Sequence, residues 1–152
     1  MWHIRPDDLT GDAIRALIVE HLAHMHSLSP AESVHALDAT AMQGTSVTMF
    51  TAWDGDDLGG MAALKRLDAH NGELKSMRTT TAARGRGAGR ALLQYILGIA
   101  QTEGFASLSL ETGTEEEFSA ARALYASEGF IECGPFADYV ADPLSVFMTR
   151  AL

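Results

Sequence analysis

The chain has 152 residues, of which 47% are hydrophobic and 20% charged, a composition typical of a soluble globular protein and not of a disordered or fibrous one. Eleven Lys and Arg against twenty Asp and Glu give a net charge of −9, which argues against general nucleic-acid binding. A single cysteine, Cys133, excludes an internal disulfide and a cysteine-based metal cluster. No run approaches the roughly 18 apolar residues of a membrane span and the N-terminus does not resemble a signal peptide, so we expect one cytoplasmic domain over residues 1–152.

Hydrophobic periodicity and turn residues predict alternating strands and helices along the chain. Helices are expected where apolar residues recur every three to four positions after a capping residue. In chain order the predicted elements are a strand at 3–6, a helix from Thr10 to Met25, a short helix from Ser29, strands at 46–53, 58–67 and 73–80, a helix at 87–103, a strand at 106–112, a helix from Thr114 to Glu128, and strands at 130–133 and 145–150. This order predicts an α/β fold with a mixed sheet, in which one crossover is long enough to join a parallel pair, the strands 73–80 and 106–112.

The joint between the strand 73–80 and the following helix combines small residues with a cluster of cations. Five cations lie between residues 75 and 90, a stretch that contains no acid: Lys75, Arg78, Arg84, Arg86 and Arg90. The small residues there are Gly85, Gly87, Ala88 and Gly89. Glycines let backbone N–H groups face an anion, and a helix start stabilises negative charge. The joint therefore predicts a phosphate or pyrophosphate site, with a simple tight turn as the alternative.

Two common phosphate-binding loops do not match this joint. A Walker loop requires Lys-Ser/Thr after its glycines, and none follows here. A Rossmann fingerprint requires Gly-x-Gly-x-x-Gly, whereas the chain has Gly85-x-Gly87-x-Gly89 in mid-chain. Neither a nucleoside triphosphate nor a dinucleotide is therefore the expected ligand.

Two motifs resemble those of the GNAT N-acetyltransferase superfamily. Arg84-x-x-Gly87-x-Gly89 resembles its Arg/Gln-x-x-Gly-x-Gly/Ala signature, and the segment from Ala121 to Phe130 resembles its second motif, Ala-x-x-Leu-Tyr-x-x-x-Gly-Phe. Many members carry Asn seven residues before the tyrosine, where this chain has Phe118, which offers no side-chain hydrogen bond. The resemblance extends over nearly the whole chain and implies a mostly antiparallel sheet of about seven strands, one parallel βαβ crossover and helices on both faces.

The resemblance implies acetyl-CoA as the acetyl donor. The strand backbone near Met77, Arg78 and Thr79 would pair with the pantetheine amides. The loop would hold the pyrophosphate, chiefly through main-chain N–H groups, with the residues Arg84, Gly85, Arg86, Gly87, Ala88, Gly89 and Arg90.

Acetyl transfer from a thioester to an amine needs a base for the ammonium proton and an acid for the departing thiolate. Tyr125 matches the tyrosine to which the family gives the acid role, and core packing is the alternative role for it. Glu73 and Glu111 lie on the strands that would flank the thioester, so either carboxylate, or a water chain, is a candidate base. We prefer Glu111 because active sites of α/β proteins lie at the C-terminal ends of parallel strands.

The resulting functional prediction is transfer of an acetyl group from acetyl-CoA to the primary amine of a small molecule. The alternative is a non-catalytic acyl-CoA sensor or partner-binding module on the same fold. No metal site is predicted, because His26 does not follow His21 and His24 at ligand spacing. The resemblance also implies that the segment of His24, His26 and Ser27 borders the acceptor pocket, which we expect Asp138 and Tyr139 to close from the other side. It allows a homodimer through the last strands.

The cations Lys75 and Arg78 leave two interpretations open. They lie near the expected acetyl end of the cofactor. They are compatible with an acceptor that carries a carboxylate, such as an amino acid, and equally with a contact to CoA. No nucleic-acid or membrane partner is expected.

Overall fold

The computed structural model describes residues 1–28 and 46–152, so the helix predicted from Ser29 lies outside the described residues. The elements in chain order are β1 His3–Asp7, α1 Asp12–Leu28, β2 Val47–Asp54, β3 Asp57–Arg66, β4 Asn71–Thr79, α2 Ala88–Thr102, β5 Ser107–Gly113, α3 Ser119–Ser127, β6 Ile131–Cys133 and β7 Ser145–Ala151. A 3-10 turn at Glu116–Phe118 leads into α3. Within these two ranges, no helix has the length and apolar character needed to cross a membrane.

The seven strands form one sheet in the order β1-β2-β3-β4-β5-β7-β6. Every neighbouring pair is antiparallel except β4 and β5, which are parallel and connected through α2. The predicted α/β fold, with a mostly antiparallel sheet and one parallel crossover, is therefore confirmed.

The helices cover both faces of this sheet, as predicted. Successive side chains of a strand point to opposite faces. In β2, Met49 packs in a cluster with Ile14 and Ile18 of α1. The next residue, Phe50, packs in a second cluster with Leu92 and its neighbours in α2. The α1 face and the α2 face thus bury separate apolar cores.

The strands β4 and β5 separate partway along their length. Their pairing runs from Asn71 opposite Ser107 to Leu74 opposite Leu110. Beyond this point β4 continues beside β3 as far as Thr79, and β5 continues beside β7. The backbone of 75–79 that faces β5 is therefore without a strand partner in the described sheet.

A bulge accompanies this separation. Three residues of β3, from Met61 to Ala63, oppose four residues of β4, from Arg78 back to Lys75. Within that segment Ser76 has a φ of 55°, a left-handed conformation that is uncommon for a residue with a Cβ. Bulges bend a strand and change the direction of its side chains. The bulge therefore sets which side chains of β4 face the wedge between the two strands.

Two predicted helix starts are wrong. The hydroxyl of Thr114 contacts the Pro143 carbonyl oxygen at 3.4 Å and its N–H donates to Leu144 at 3.1 Å, so Thr114 joins two chain segments and α3 begins later, at Ser119. The hydroxyl of Thr10 donates to Asp8 at 2.6 Å, and α1 begins at Asp12. In both cases the threonine lies in the loop before the helix, where its hydroxyl donates to a loop acceptor.

Candidate active site

A cavity of about 810 Å³ occupies the wedge between β4 and β5. Its walls come from the separated halves of these strands, the loop before α2, the C-terminal half of α1 and the cavity-facing side of α3. It is continuous from the glycine-rich loop at one end to Glu73 and Glu111 at the other. A long ligand lying along β4 would therefore reach both ends.

The loop end of the cavity is built to approach an anion. Gly85 and Gly87 have φ values of 76° and 86°, which favour glycine, and Gly87 is the N-cap of α2. The N–H groups of Ala88, Gly89 and Arg90 belong to the first helical turn and have no acceptor within the helix. These donors and the helix dipole suit a phosphate group at this end.

The loop arginines do not all face the cavity. Arg84 and Arg90 line it, and Arg90 also pairs with Glu128 at 2.5 Å. Arg86 does not belong to the lining: it pairs with Asp54 at 2.9 Å and covers the ring of Trp2. The side chain of Ala88 is buried, so that this residue offers only its backbone.

The residues expected beside the pantetheine lie along the unpaired edge of β4. Met77, Arg78 and Thr79 all line the cavity. The side chain of Met77 packs against the α2 core, whereas that of Arg78 points to the opposite face and reaches His24. The backbone of this segment is thus open to the wedge while its side chains divide between the two faces.

The deep end of the cavity contains a three-residue polar network. Glu73 is 2% exposed, and its Oε2 accepts hydrogen bonds from the Tyr139 hydroxyl at 2.5 Å and from Lys75 Nζ at 3.2 Å. Lys75 Nζ also donates to the Tyr139 oxygen at 2.7 Å. Burial, the hydrogen bond to Glu73 and the negative charges of Glu73 and Glu111 raise the pKa of Tyr139, so its phenol stays protonated.

Glu111 lies across the wedge from this network. It follows Leu110, the last residue of β5 that pairs with β4, and it is half-buried at the cavity wall. Its Oε2 accepts a hydrogen bond of 2.7 Å from the Ser145 hydroxyl of β7. The structure therefore brings both predicted carboxylates, Glu73 and Glu111, to one end of the cavity.

Tyr125 lies on the α3 wall of the same cavity. Its side chain is 6% exposed, and its ring packs against Phe130 with centroids 6.0 Å apart. Burial raises the pKa of its phenol well above the usual value, so the hydroxyl is protonated at neutral pH. A protonated phenol at the cavity wall is able to donate to a developing negative charge.

A cationic group lies on the α1 wall. Arg78 Nη1 is 3.0 Å from His24 Nδ1, and Arg78 Nη2 donates to Glu20 at 2.9 Å. A guanidinium has no acceptor atom, so His24 Nδ1 is the acceptor of this bond. Burial, followed by the positive charge of Arg78, lowers the pKa of the neighbouring His21 to about 4.

Sequence reasoning missed the connection between Glu73, Lys75 and Tyr139. The spacing of Glu73 and Lys75 places both on one face of a strand, which was an available signal for a pair. The position of Tyr139 depends on how residues 134–144 fold back over β4, and no local pattern reports that. Ser145, the partner of Glu111, was missed for the same reason.

Three comparisons place this arrangement among known proteins. The model of the Acetyltransferase (GNAT) family matches residues 14–130. YsnE of Bacillus subtilis (strain 168), named as an uncharacterized N-acetyltransferase, is 49% identical over 150 residues, which cover 99% of each chain. The IAA acetyltransferase of Azospirillum brasilense is 38% identical over 144 residues, which cover 93% of this chain and 92% of that protein.

A solved structure from Klebsiella pneumoniae subsp. pneumoniae MGH 78578, assigned as an acyl-CoA N-acyltransferase, superposes with a TM-score of 0.80. The two sequences are 28% identical, and the match covers 100% of this chain and 98% of that one. The family resemblance found in the sequence motifs is therefore confirmed. The chain belongs to the GNAT acetyltransferase family and is an acyltransferase.

Proposed function

We propose that this chain, as one domain over residues 1–152, transfers an acetyl group from acetyl-CoA directly to the primary amine of a small molecule. The observation that carries the proposal is the continuity of the cavity. It joins an anion-suited loop, an unpaired strand edge and two carboxylates in one space of about 810 Å³. A compact ligand would need only the loop end or only the carboxylate end of such a cavity, whereas acetyl-CoA needs both.

The residues present fit acetyl-CoA at two separate points. The N–H groups at the start of α2 suit the pyrophosphate, with Arg84 beside them. The β5-facing backbone of residues 77–79 offers hydrogen bonds of the strand type to amides of an extended ligand. When bound, acetyl-CoA supplies an acetyl group activated as a thioester. The chain then has to orient that group, remove a proton from the amine and stabilise the leaving sulfur.

Glu111 suits the general base better than Glu73 does. Glu73 is fully buried and already accepts hydrogen bonds from Lys75 and Tyr139. Glu111 is half-buried at the point where β5 leaves β4, so an amine entering the wedge reaches it. On the other wall, the protonated phenol of Tyr125 suits the acid that donates to the departing thiolate.

The test is turnover of acetyl-CoA with a panel of primary amines, to which IAA is added because a relative is named for it. Release of free thiol is followed together with the acetylated product by mass spectrometry, and a reaction without acceptor measures hydrolysis. We expect amine-dependent thiol release with one acetyl group gained per thiol. Thermal stabilisation by acetyl-CoA without turnover of any acceptor would instead support the acyl-CoA sensor.

A further inference from the structure

Arg78 is a nearly buried cation that acetyl transfer itself does not require. Its side chain is 10% exposed, lies on the α1 face of β4 and lines the cavity. Its two hydrogen bonds in the described part of the chain reach His24 and Glu20. Its Nε is buried and has no hydrogen-bond partner there. A guanidinium offers five N–H donors, so most of the donors of Arg78 have no acceptor among the described residues.

Among the residues that the structure describes, the groups around Arg78 do not balance its charge. Its acidic partner, Glu20, is 50% exposed, and solvent screens a pair of this kind. His24 contributes a ring nitrogen as acceptor and no negative charge, and burial lowers the pKa of His21. Nδ1 of His21 is likewise buried without a hydrogen-bond partner among the described residues. This wall therefore combines a poorly compensated cation with unsatisfied polar atoms, which is costly unless a ligand completes it.

The other cations of the cavity are occupied or lie elsewhere. Lys75 contacts Glu73 and the Tyr139 hydroxyl, which together satisfy its charge. Arg84 and Arg90 lie at the loop end, where the phosphates of the donor are expected. Arg78 is thus the cation available to an anionic group that enters with the acceptor.

We propose that the acceptor is an amine that also carries a carboxylate, and that Arg78 binds this carboxylate on the α1 wall while the amine faces Glu111. The planar fork of arginine matches the two oxygens of a carboxylate, and such charge-assisted bonds are strong in a site shielded from water. This inference rests on the proposed function, because it names the acceptor class for the same transfer. Arg78 is then a specificity-determining residue of the acceptor site.

The experiment compares matched acceptors. The panel contains α-, β- and ω-amino acids and aminobenzoates, each paired with its own carboxamide, which keeps the amine and removes the negative charge. We expect wild-type kcat/KM to be at least about 100-fold higher for the best acid than for its carboxamide, because a site built around a charged partner rejects an analogue without it. Equal or better turnover of the carboxamides would overturn the proposal.

Variants assign the preference to Arg78. In Arg78→Gln, kcat/KM for the best amino acid should exceed that for its carboxamide by less than about 10-fold, chiefly because the KM for the amino acid rises. Arg78→Lys should give an intermediate ratio of the two kcat/KM values. Glu20→Gln removes the carboxylate that competes with the substrate for Arg78, so the KM for the amino-acid acceptor should fall. Arg66→Gln is the matched control: it removes an exposed arginine outside the cavity lining and should keep the wild-type ratio. An unchanged ratio in Arg78→Gln would contradict the assignment.

A binding measurement separates this proposal from the proposed function. The N-acetylated acids and carboxamides are titrated into the CoA-saturated protein while the ¹⁵Nε–H signal of Arg78, assigned by its absence in Arg78→Gln, is followed. We expect the acids to shift this signal and the carboxamides to leave it unchanged. If no acceptor is acetylated, the proposal of acetyl transfer fails independently of this measurement. If no acid shifts the Nε–H signal of Arg78, the carboxylate site is overturned, whether or not the acids are acetylated.

Discussion

The Tyr139 hydroxyl donates a hydrogen bond of 2.5 Å to Oε2 of Glu73, a residue 66 positions earlier in the chain. Lys75 Nζ contacts both, at 3.2 Å from the carboxylate and 2.7 Å from the phenol oxygen. The bond attaches the segment between β6 and β7 to the buried part of β4. The phenol of Tyr139 thereby contacts both members of the Glu73–Lys75 ion pair at the deep end of the cavity.

The first prediction concerns the stability that this network provides. Glu73→Gln removes the carboxylate from a buried ion pair with Lys75, whose side chain is 8% exposed, and we expect a loss of about 3–5 kcal/mol in the free energy of unfolding. The double variant Glu73→Gln with Lys75→Met should recover most of it, because it removes both charges of the pair. Urea denaturation measures both. Glu103→Gln, which breaks an exposed pair, is the control and should cost under about 1 kcal/mol.

The second prediction assigns the base. Glu111→Gln keeps the size of the side chain and removes its basicity, so kcat should fall by about 10²–10⁴-fold while the Kd for acetyl-CoA changes little. Glu117→Gln, which alters another carboxyl group in the cavity lining, is the control and should retain most of the wild-type kcat. A Glu111→Gln variant with normal turnover would transfer the role to Glu73 or to water.

The third prediction concerns Tyr125. Tyr125→Phe keeps the ring against Phe130 and removes the hydroxyl, which matters once the carbon–sulfur bond is breaking. We expect kcat to fall by about 10²-fold, the lower end for loss of a general acid, because a thiolate is already a tolerable leaving group. Calorimetry should show acetyl-CoA affinity close to wild type. Reduced affinity together with a lower melting temperature would show instead that Tyr125 is a packing residue.

The sequence predicted the loop before α2 because its signals are local. Glycine spacing placed the helix start at Gly87, and α2 begins at the next residue. The clustering of positive charges in the sequence was a poorer guide to which side chains face the cavity. It grouped Arg86 with the phosphate ligands, but Asp54 in the β2–β3 turn and the ring of Trp2 lie beside that side chain and hold it outside the cavity lining.

The end of the cavity that holds Glu73 and Arg78 was less accessible to prediction because it depends on tertiary contacts. The network of Glu73 and Tyr139 requires the chain after β6 to return over β4. The orientation of Arg78 depends on the bulge at Ser76, where a residue with a Cβ adopts a left-handed conformation that no sequence signal indicates. Both features arise from the sheet as a whole, whereas the glycine pattern before α2 arises within a few residues.

The fourth prediction tests the phosphate loop through Gly89. A Cβ at this position would lie 3.5 Å from Leu124 and 3.6 Å from Thr79, which is ordinary contact, so Gly89→Ala should fold and gain about 0.5–1 kcal/mol from helix propensity. Acetyl-CoA affinity should nevertheless fall by at least about 10-fold, because the methyl group obstructs the approach of a phosphate to the helix start. Gly98→Ala in the same helix, where no atom of the described residues lies within 4 Å of the new Cβ, is the matched control. Calorimetry with equal affinities for the two variants would remove the phosphate site from this loop.

The fifth prediction follows from His21, whose pKa is lowered to about 4 by burial and by the neighbouring Arg78. Between pH 6.5 and 4 the unfolded chain binds a proton at this residue that the folded chain does not, so the free energy of unfolding falls as the pH is lowered through this range. Below pH 4 both states carry the proton and this contribution stops changing. The loss should approach about 3 kcal/mol by linkage.

Urea denaturation at a series of pH values from 7.5 to 4 measures this loss. His21→Leu has no titratable ring at this position, and its stability should depend less steeply on pH by about the same amount, whatever its absolute stability. The exposed His26 provides the control, since His26→Gln should keep the wild-type slope. A His21→Leu variant with the wild-type slope would mean that the acid sensitivity arises from other groups and that the ring of His21 is protonated without cost beside Arg78.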